Sequence, residues 1–176
     1  MKKIGVLAIQ GSFAEHGEIL KKLNVDFEFV RDKEMLQTIT HLIIPGGEST
    51  TMTNLLKQFD MWEVLKSQIK DHKSKIFGTC AGAILISRLF PNANFTVERN
   101  AYGGQQSSFV DKLDSETFSN LEGVFIRAPK FLNVNTTILA THNSEPVLIE
   151  GEGFVAATFH PELSGETRVH EYFLNS

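Results

Sequence analysis

Reactive chemistry in this sequence centres on Cys80, the one cysteine among 176 residues. It stands in Gly78-Thr79-Cys80-Ala81-Gly82, where a short apolar run gives way to a helical pattern. Gly-x-Cys-x-Gly has the spacing of a nucleophile elbow, in which glycines let the backbone turn sharply enough to present a nucleophile at the end of a sheet. A thiol at a helix N-terminus also meets backbone N–H groups and the positive end of the helix dipole, both of which favour thiolate. The competing reading of a lone cysteine is a small buried hydrophobe. A partner base decides between the two.

Six histidines are available as that base: His16, His41, His72, His142, His160 and His170. His72 sits in a polar stretch, His41 opens a strand, and His16 and His170 fall within helical patterns, so these four read as structural or surface residues. His160 ends the apolar run 154–159 and is followed by Pro161-Glu162. Proline fixes its own φ and disfavours helix at the residue before it. In an extended segment residues i and i+2 point to one side. His160 and Glu162 are therefore expected to share a face, which gives the Cys–His–carboxylate set of an acyl-transfer site. The glycine pair Gly46-Gly47 after a strand, and the N–H of Ala81 directly after the thiol, are the candidate oxyanion donors. Gly47-Glu48-Ser49-Thr50-Thr51 lacks the glycine-lysine pair of a phosphate loop, and one cysteine with scattered histidines makes no structural zinc site.

The elements that must position these groups alternate between strand and helix. Residues 4–9, 26–30, 41–44 and 75–78 read as strands, with helical patterns between them. That order predicts a three-layer α/β/α domain with a mostly parallel sheet, whose sites gather at the carboxyl ends of the strands. Gln10-Gly11, Pro45-Gly46-Gly47 and Gly78-Thr79-Cys80 all break strands at that end. Ser12 and Glu15 form a capping-box pattern, and Ser49, Thr50 and Thr51 offer hydroxyls to cap another helix. In the second half, residues 95–98, 108–110, 124–126, 137–140, 147–149 and 154–158 are short strand candidates, expected as antiparallel additions, and 167–174 reads as a closing helix. No linker, repeat or low-complexity stretch divides the chain, so one domain over 1–176 is expected.

Composition removes several function classes. Apolar content of 41% and charged content of 22% are those of a globular protein with a sizeable core. The net charge of −4 gives no reason to expect nucleic acid or an anionic membrane as partner. No apolar run approaches the ~20 residues of a membrane span, and the opening run ends too soon for a signal peptide. A single cysteine suits a reducing, cytoplasmic compartment.

Pro45-Gly46-Gly47, Gly78-Thr79-Cys80-Ala81-Gly82 and His160-Pro161-Glu162, in this order, resemble the class I glutamine amidotransferase family. Longer segments are similar to the branch of that family that serves as glutaminase subunits of pyridoxal 5′-phosphate synthases. They are Leu7-Ala8-Ile9-Gln10-Gly11, Gly47-Glu48-Ser49-Thr50-Thr51, Val97-Glu98-Arg99-Asn100, Gly123-Val124-Phe125-Ile126-Arg127-Ala128-Pro129 and Phe159-His160-Pro161-Glu162-Leu163. The resemblance runs over essentially the whole chain and implies a flavodoxin-like fold and hydrolysis of L-glutamine. In it Cys80 is nucleophile, His160 acid/base and Glu162 orienter, with Gly47 and Ala81 at the oxyanion hole. Gly47, Glu48, Ser49, Arg99, Ile126 and Arg127 match glutamine-binding positions, with Glu48 a candidate for the α-ammonium group and the two arginines for the carboxylate or for charges that fix the loops. Losing an oxyanion donor is costly. A misplaced peptide near Gln10-Gly11 or Gly46-Gly47 would therefore keep such an enzyme idle until a partner binds, which makes Gln10 and Gly11 a candidate activation segment. No cofactor is implied; the implied partner is a barrel-forming synthase subunit in a larger hetero-oligomer.

The chain departs from the branch in a shortened segment 88–95, in Gly104 where arginine is usual, and in Lys130 where histidine is usual. None of these touches the triad. Two alternatives are a cysteine enzyme of another kind, such as a peptidase or a glutaminase serving a different synthase, and a non-catalytic subunit that organises a complex.

Overall fold

The computed structural model describes residues 2–99, 101 and 108–176. Five strands run parallel in one sheet: β1 (Ile4–Leu7), β2 (Glu28–Val30), β3 (His41–Ile44), β4 (Lys75–Thr79) and β11 (Phe154–Ala157). β10 (Glu145–Gly151) lies antiparallel to β11 and to the edge strand β9 (Thr137–His142). The order across the sheet is β2-β1-β3-β4-β11-β10-β9. Two antiparallel pairs stand apart from it: β5 (Thr96–Glu98) with β8 (Lys130–Leu132), and β6 (Phe109–Leu113) with β7 (Leu121–Phe125).

The parallel strands are apolar almost without interruption because helices cover both faces of the sheet. Successive side chains point to opposite faces. Leu42, Ile44 and Ile76 accordingly pack with Met52 and Leu56 of α3 (Ser49–Gln58), Leu65 of α4 (Met61–Lys70) and Leu85 of α5 (Ala81–Leu89). Ile43 and Phe77 face the other way, toward Leu20 of α1 (Phe13–Lys22) and Val169 and Phe173 of α7 (Arg168–Asn175). A short α2 (Lys33–Leu36) links β2 to β3. The expected layered α/β architecture is therefore present, and β4 and β11, which lead into Cys80 and His160, are neighbours at its centre.

Four local expectations are corrected, and one strand is unforeseen. β11, expected as an antiparallel addition, runs parallel to β4. The segment after β11 is not extended: α6 (Pro161–Ser164) begins there with His160 at its N-cap. Proline at the first helical position suits a helix start, where its missing N–H would have no partner. Ser12 occupies the N-cap of α1 but makes no capping bond with its side chain. α3 is capped by the Glu48 carboxylate instead of by a hydroxyl. Finally β8, with only Phe131 buried in three residues, carries too little pattern to be read as a strand from sequence.

Candidate active site

Cys80 is the N-cap of α5, with φ 49° and ψ −104°. Few non-glycine residues adopt such a backbone, and one that does is held there by its surroundings. Here the surroundings are close backbone contacts. A Cβ on Gly82 would lie 2.1 Å from the carbonyl oxygen of Ile44 in β3, and one on Gly78 would lie 2.5 Å from the carbonyl carbon of Gly82. The Cys80 N–H donates to the carbonyl of Ala157 at the end of β11 (2.8 Å). Its thiol points at the Ile126 carbonyl (3.7 Å). The elbow expected from glycine spacing is thus formed, and it is fastened to two strands.

β11 delivers the base. His160 is nearly buried, and its Nδ1 lies 2.7 Å from Glu162 Oε1. Burial by itself pushes the imidazole down, but hydrogen bonds with Cys80 and Glu162 outweigh it and hold the group at about 10. Burial likewise works against the Glu162 carboxylate. The facing imidazoles of His16 and His160 overcome it and keep the acid at about 2. The His–carboxylate pairing is as expected, but its geometry comes from a helix N-cap and first turn, not from alternation along a strand.

Cys80 and His160 open onto one cleft of about 570 Å³. Gln10, Gly11, Gly47 and Ala81 line it at the strand ends, with Glu48, Ser49, Arg99, Ile126 and Arg127 around them. Glu162 stands behind His160. Gln10 Oε1 accepts from the Glu48 N–H (2.9 Å), and Gly11, at φ +98°, packs so tightly on Gly46 that a Cβ would come within 1.9 Å of its carbonyl oxygen. The Gln10-Gly11 turn therefore sets the course of the glycine loop. Ser49 is buried, and its Oγ has no hydrogen-bond partner in the protein. Burying a hydroxyl without a partner is unfavourable, and at the wall of a cleft it reads as a group awaiting a ligand.

Glu48 is already engaged. It accepts from the N–H groups of Thr50 (3.1 Å) and Thr51 (2.7 Å) and from the Thr51 hydroxyl (2.5 Å), which hold its carboxyl at about 2. Arg99 Nη2 reaches the same carboxylate at 3.5 Å. Arg127 has a left-handed backbone, φ 46°. Lys130 pairs with Glu145 (2.9 Å). Asn100 and Gly104 lie outside the described residues. No group of three His, Cys, Asp or Glu among the described residues is arranged for a metal ion, and no helix among them is long and apolar enough to cross a membrane.

Sequence reasoning missed three residues beside the triad. The Ser12 hydroxyl donates to Glu162 Oε1 (2.8 Å). His16 and His170, read as structural or surface, are fully buried, His16 against the same carboxylate and His170 against His16. The available signal was position. His16 falls in register with Ile19 and Leu20 on the buried stripe of α1, and His170 with Val169 and Phe173 on that of α7.

Comparison with known proteins identifies the family. A model of the SNO glutamine amidotransferase family matches residues 6–176. The pyridoxal 5′-phosphate synthase subunit PdxT of Thermosipho africanus is 45% identical, over 98% of this chain and 97% of its own length. The protein of the same description from Thermus thermophilus is 40% identical, over 97% and 95%. A crystal structure described as a glutamine amidotransferase superposes with a TM-score of 0.91 at 40% identity, covering 98% of this chain and 97% of that one. The PurLQS structure from Thermotoga maritima, 15% identical with a TM-score of 0.69, shares the fold alone. On sequence and structure together, the chain belongs to the SNO glutamine amidotransferase family.

Proposed function

We propose that this protein is the glutaminase subunit of a pyridoxal 5′-phosphate synthase, hydrolysing L-glutamine to L-glutamate and ammonia. The observation that carries the reading is the Cys80 elbow opening onto the same cleft as a His160 imidazole held 2.7 Å from Glu162. Family membership and the shared description of the relatives support it.

The proton of Cys80 rests on His160, whose raised pKa keeps it as the imidazolium, and the sulfur attacks the side-chain amide carbon. Charge developing on the amide oxygen rests on the N–H groups of Gly47 and Ala81; in comparable sites one such donor is worth about 10²–10³ in rate. His160 passes the proton to the nitrogen, which leaves as ammonia, and a thioester remains. His160 then takes a proton from water, the hydroxide attacks the thioester, and glutamate departs as the thiol is restored. Glu162 holds the imidazole in the tautomer with its proton on Nδ1. Gly47, Glu48, Ser49, Arg99, Ile126 and Arg127 bind the glutamine, and the Gln10-Gly11 turn governs whether the oxyanion donors are aligned.

Ammonia released into water is mostly protonated and a poor nucleophile. Its use therefore requires delivery within a complex, to a barrel-forming synthase subunit in a hetero-oligomer. Residues 1–176 act as one glutaminase domain, in the cytoplasm, with no cofactor of their own. The test is glutamate release from glutamine by the parent and by Cys80→Ala, each with the synthase subunit present. Activity is expected in the parent only, and turnover by the alanine variant would end the proposal.

A further inference from the structure

Glu162 is completely buried, and every contact it makes is at one oxygen. Oε1 meets His160 Nδ1 (2.7 Å), Ser12 Oγ (2.8 Å) and His16 Nε2 (3.5 Å), while Oε2 has no partner. A buried carboxylate anchored at a single atom can swing about it, so the groups converging there fix its direction. His16 does more than touch it. Its Nε2 also lies 3.1 Å from the hydroxyl of Thr79, the residue before the nucleophile, and its Nδ1 lies 2.8 Å from His170 Nε2 on α7. One ring thereby spans the strand that leads into Cys80, the first turn of α6 that carries Glu162, and the last helix.

The proton positions follow from these neighbours. A carboxylate facing a bare ring nitrogen would repel it, so Nε2 of His16 carries the proton and shares it between Thr79 and Glu162. Nδ1 is then an acceptor and receives the Nε2–H of His170. The bond to His16 leaves His170 Nδ1 as a lone pair with no hydrogen bond of good geometry; the Glu166 backbone favours a proton on this ring, but burial outweighs it. Burial pushes both imidazoles down, so the hold on Glu162 is that of an oriented N–H and not of a cation. The groups facing the pair are Glu15 on α1, His160 and Glu162 at α6, and the Glu166 backbone before α7.

We infer that His16, braced by His170, is a positioning residue for the triad: through Glu162 and Thr79 it fixes the direction of the His160 imidazole relative to Cys80. This rests on the glutaminase reading for its catalytic consequence, but the arrangement can be tested without glutamine. Cys80 is the only thiol, so the pH profile of its alkylation by iodoacetamide reports the thiol–imidazole pair directly.

Two substitutions separate the two ring nitrogens. In His16→Gln the side-chain amide reaches the place of Nε2 and keeps a donor toward Glu162 and Thr79. In His16→Asn it reaches the place of Nδ1 and keeps only the His170 contact. The asparagine variant is expected to shift the alkylation profile. With the synthase subunit present it should lower kcat by about 10-fold or more, part of the 10²–10⁴ that a positioned base supplies, and leave KM within about 2-fold. The glutamine variant keeps the Glu162 and Thr79 contacts but loses the brace, and it is expected to fall between the parent and His16→Asn in both measurements. Should His16→Asn fail to fold, His170→Phe removes the brace and is expected to move the profile in the same direction. Profiles that coincide with the parent in these variants, or losses equal in His16→Asn and His16→Gln, would overturn the inference. A parent that is alkylated normally but releases no glutamate would instead overturn the glutaminase reading and leave the alkylation comparison decisive for His16.

Discussion

Gly46 packs directly against His160: a Cβ built on it would stand 2.3 Å from Cε1 of the imidazole and 2.9 Å from Nδ1. Nδ1 is the atom that meets Glu162, so the absent side chain at Gly46 is a condition for the His–carboxylate pair. Gly46→Ala is expected to displace the ring and lower glutamate release by about 10²-fold or more, the worth of a positioned base. Thermal unfolding of the same variant, still cooperative, is the accompanying check.

Gly82 and Gly153 form a contrasting pair. A Cβ on Gly82 would meet the backbone of β3, which cannot yield without moving the sheet. Gly82→Ala is expected to cost about 3 kcal/mol, the upper end for overpacking, and to lower Tm by about 6–12 °C. At Gly153 the φ is +82° but the nearest atom is 3.5 Å away on Phe90. Only backbone strain remains there, so Gly153→Ala is expected to lose about 1 kcal/mol. Differential scanning calorimetry of both variants decides it.

Ser49→Ala should separate stability from binding. Its Oγ is buried and unpartnered at the cleft wall, so removing it relieves the folded protein of an unmet polar group. Urea unfolding is expected to show equal or slightly higher stability, while KM for glutamine rises by about 2- to 12-fold, the equivalent of one hydrogen bond. Lower stability with unchanged KM would place the hydroxyl outside the binding function.

Stability is expected to pass through a maximum close to pH 6.5. The Glu162 carboxyl, held at about 2 against an ordinary 4.5, stabilises the fold above pH 4.5 and ceases to do so as pH falls toward 2. His160, raised to about 10, contributes below pH 6.5, and that contribution fades as pH climbs to 10. Burial, the largest influence on His170, pushes it to about 3, so between pH 6.5 and 3 the unfolded chain accepts a proton that the fold does not. That shift corresponds to on the order of 5 kcal/mol across the acid range. Urea midpoints measured at successive pH values should decline on both sides of the maximum. In His170→Phe the decline between pH 6.5 and 4.5 should be shallower.

Much of the site could be read from the sequence because its parts are local. The elbow is written in the spacing of Gly78, Cys80 and Gly82, and the base and orienter are two residues apart, so their pairing was legible even though the backbone that achieves it is a helix start. The parallel strands announced themselves as continuous apolar runs, a direct result of burial on both faces. What escaped reading depends on distant partners. Ser12 looks like a helix cap in any local window, yet its hydroxyl belongs to Glu162, 150 residues away. His16 and His170 each occupy an apolar stripe, but nothing in either helix indicates that they meet across 154 residues. Glu48 shows the opposite case: a substrate-facing expectation met a competing local role, since a carboxylate at a helix N-terminus is stabilised by the N–H groups beside it.

Those long spans also set the order in which reactivity arises as the chain folds. Cys80 and its turn lie between β4 and α5, neighbours within residues 75–89, and such contacts close quickly. The contacts that steady Glu162 join residues 150 and 154 positions apart, and contacts of that separation form slowly. The elbow is also fastened to Ile44 and Ala157, so its turn is seeded locally but takes its final shape, like the aligned base, only with the long-range closures.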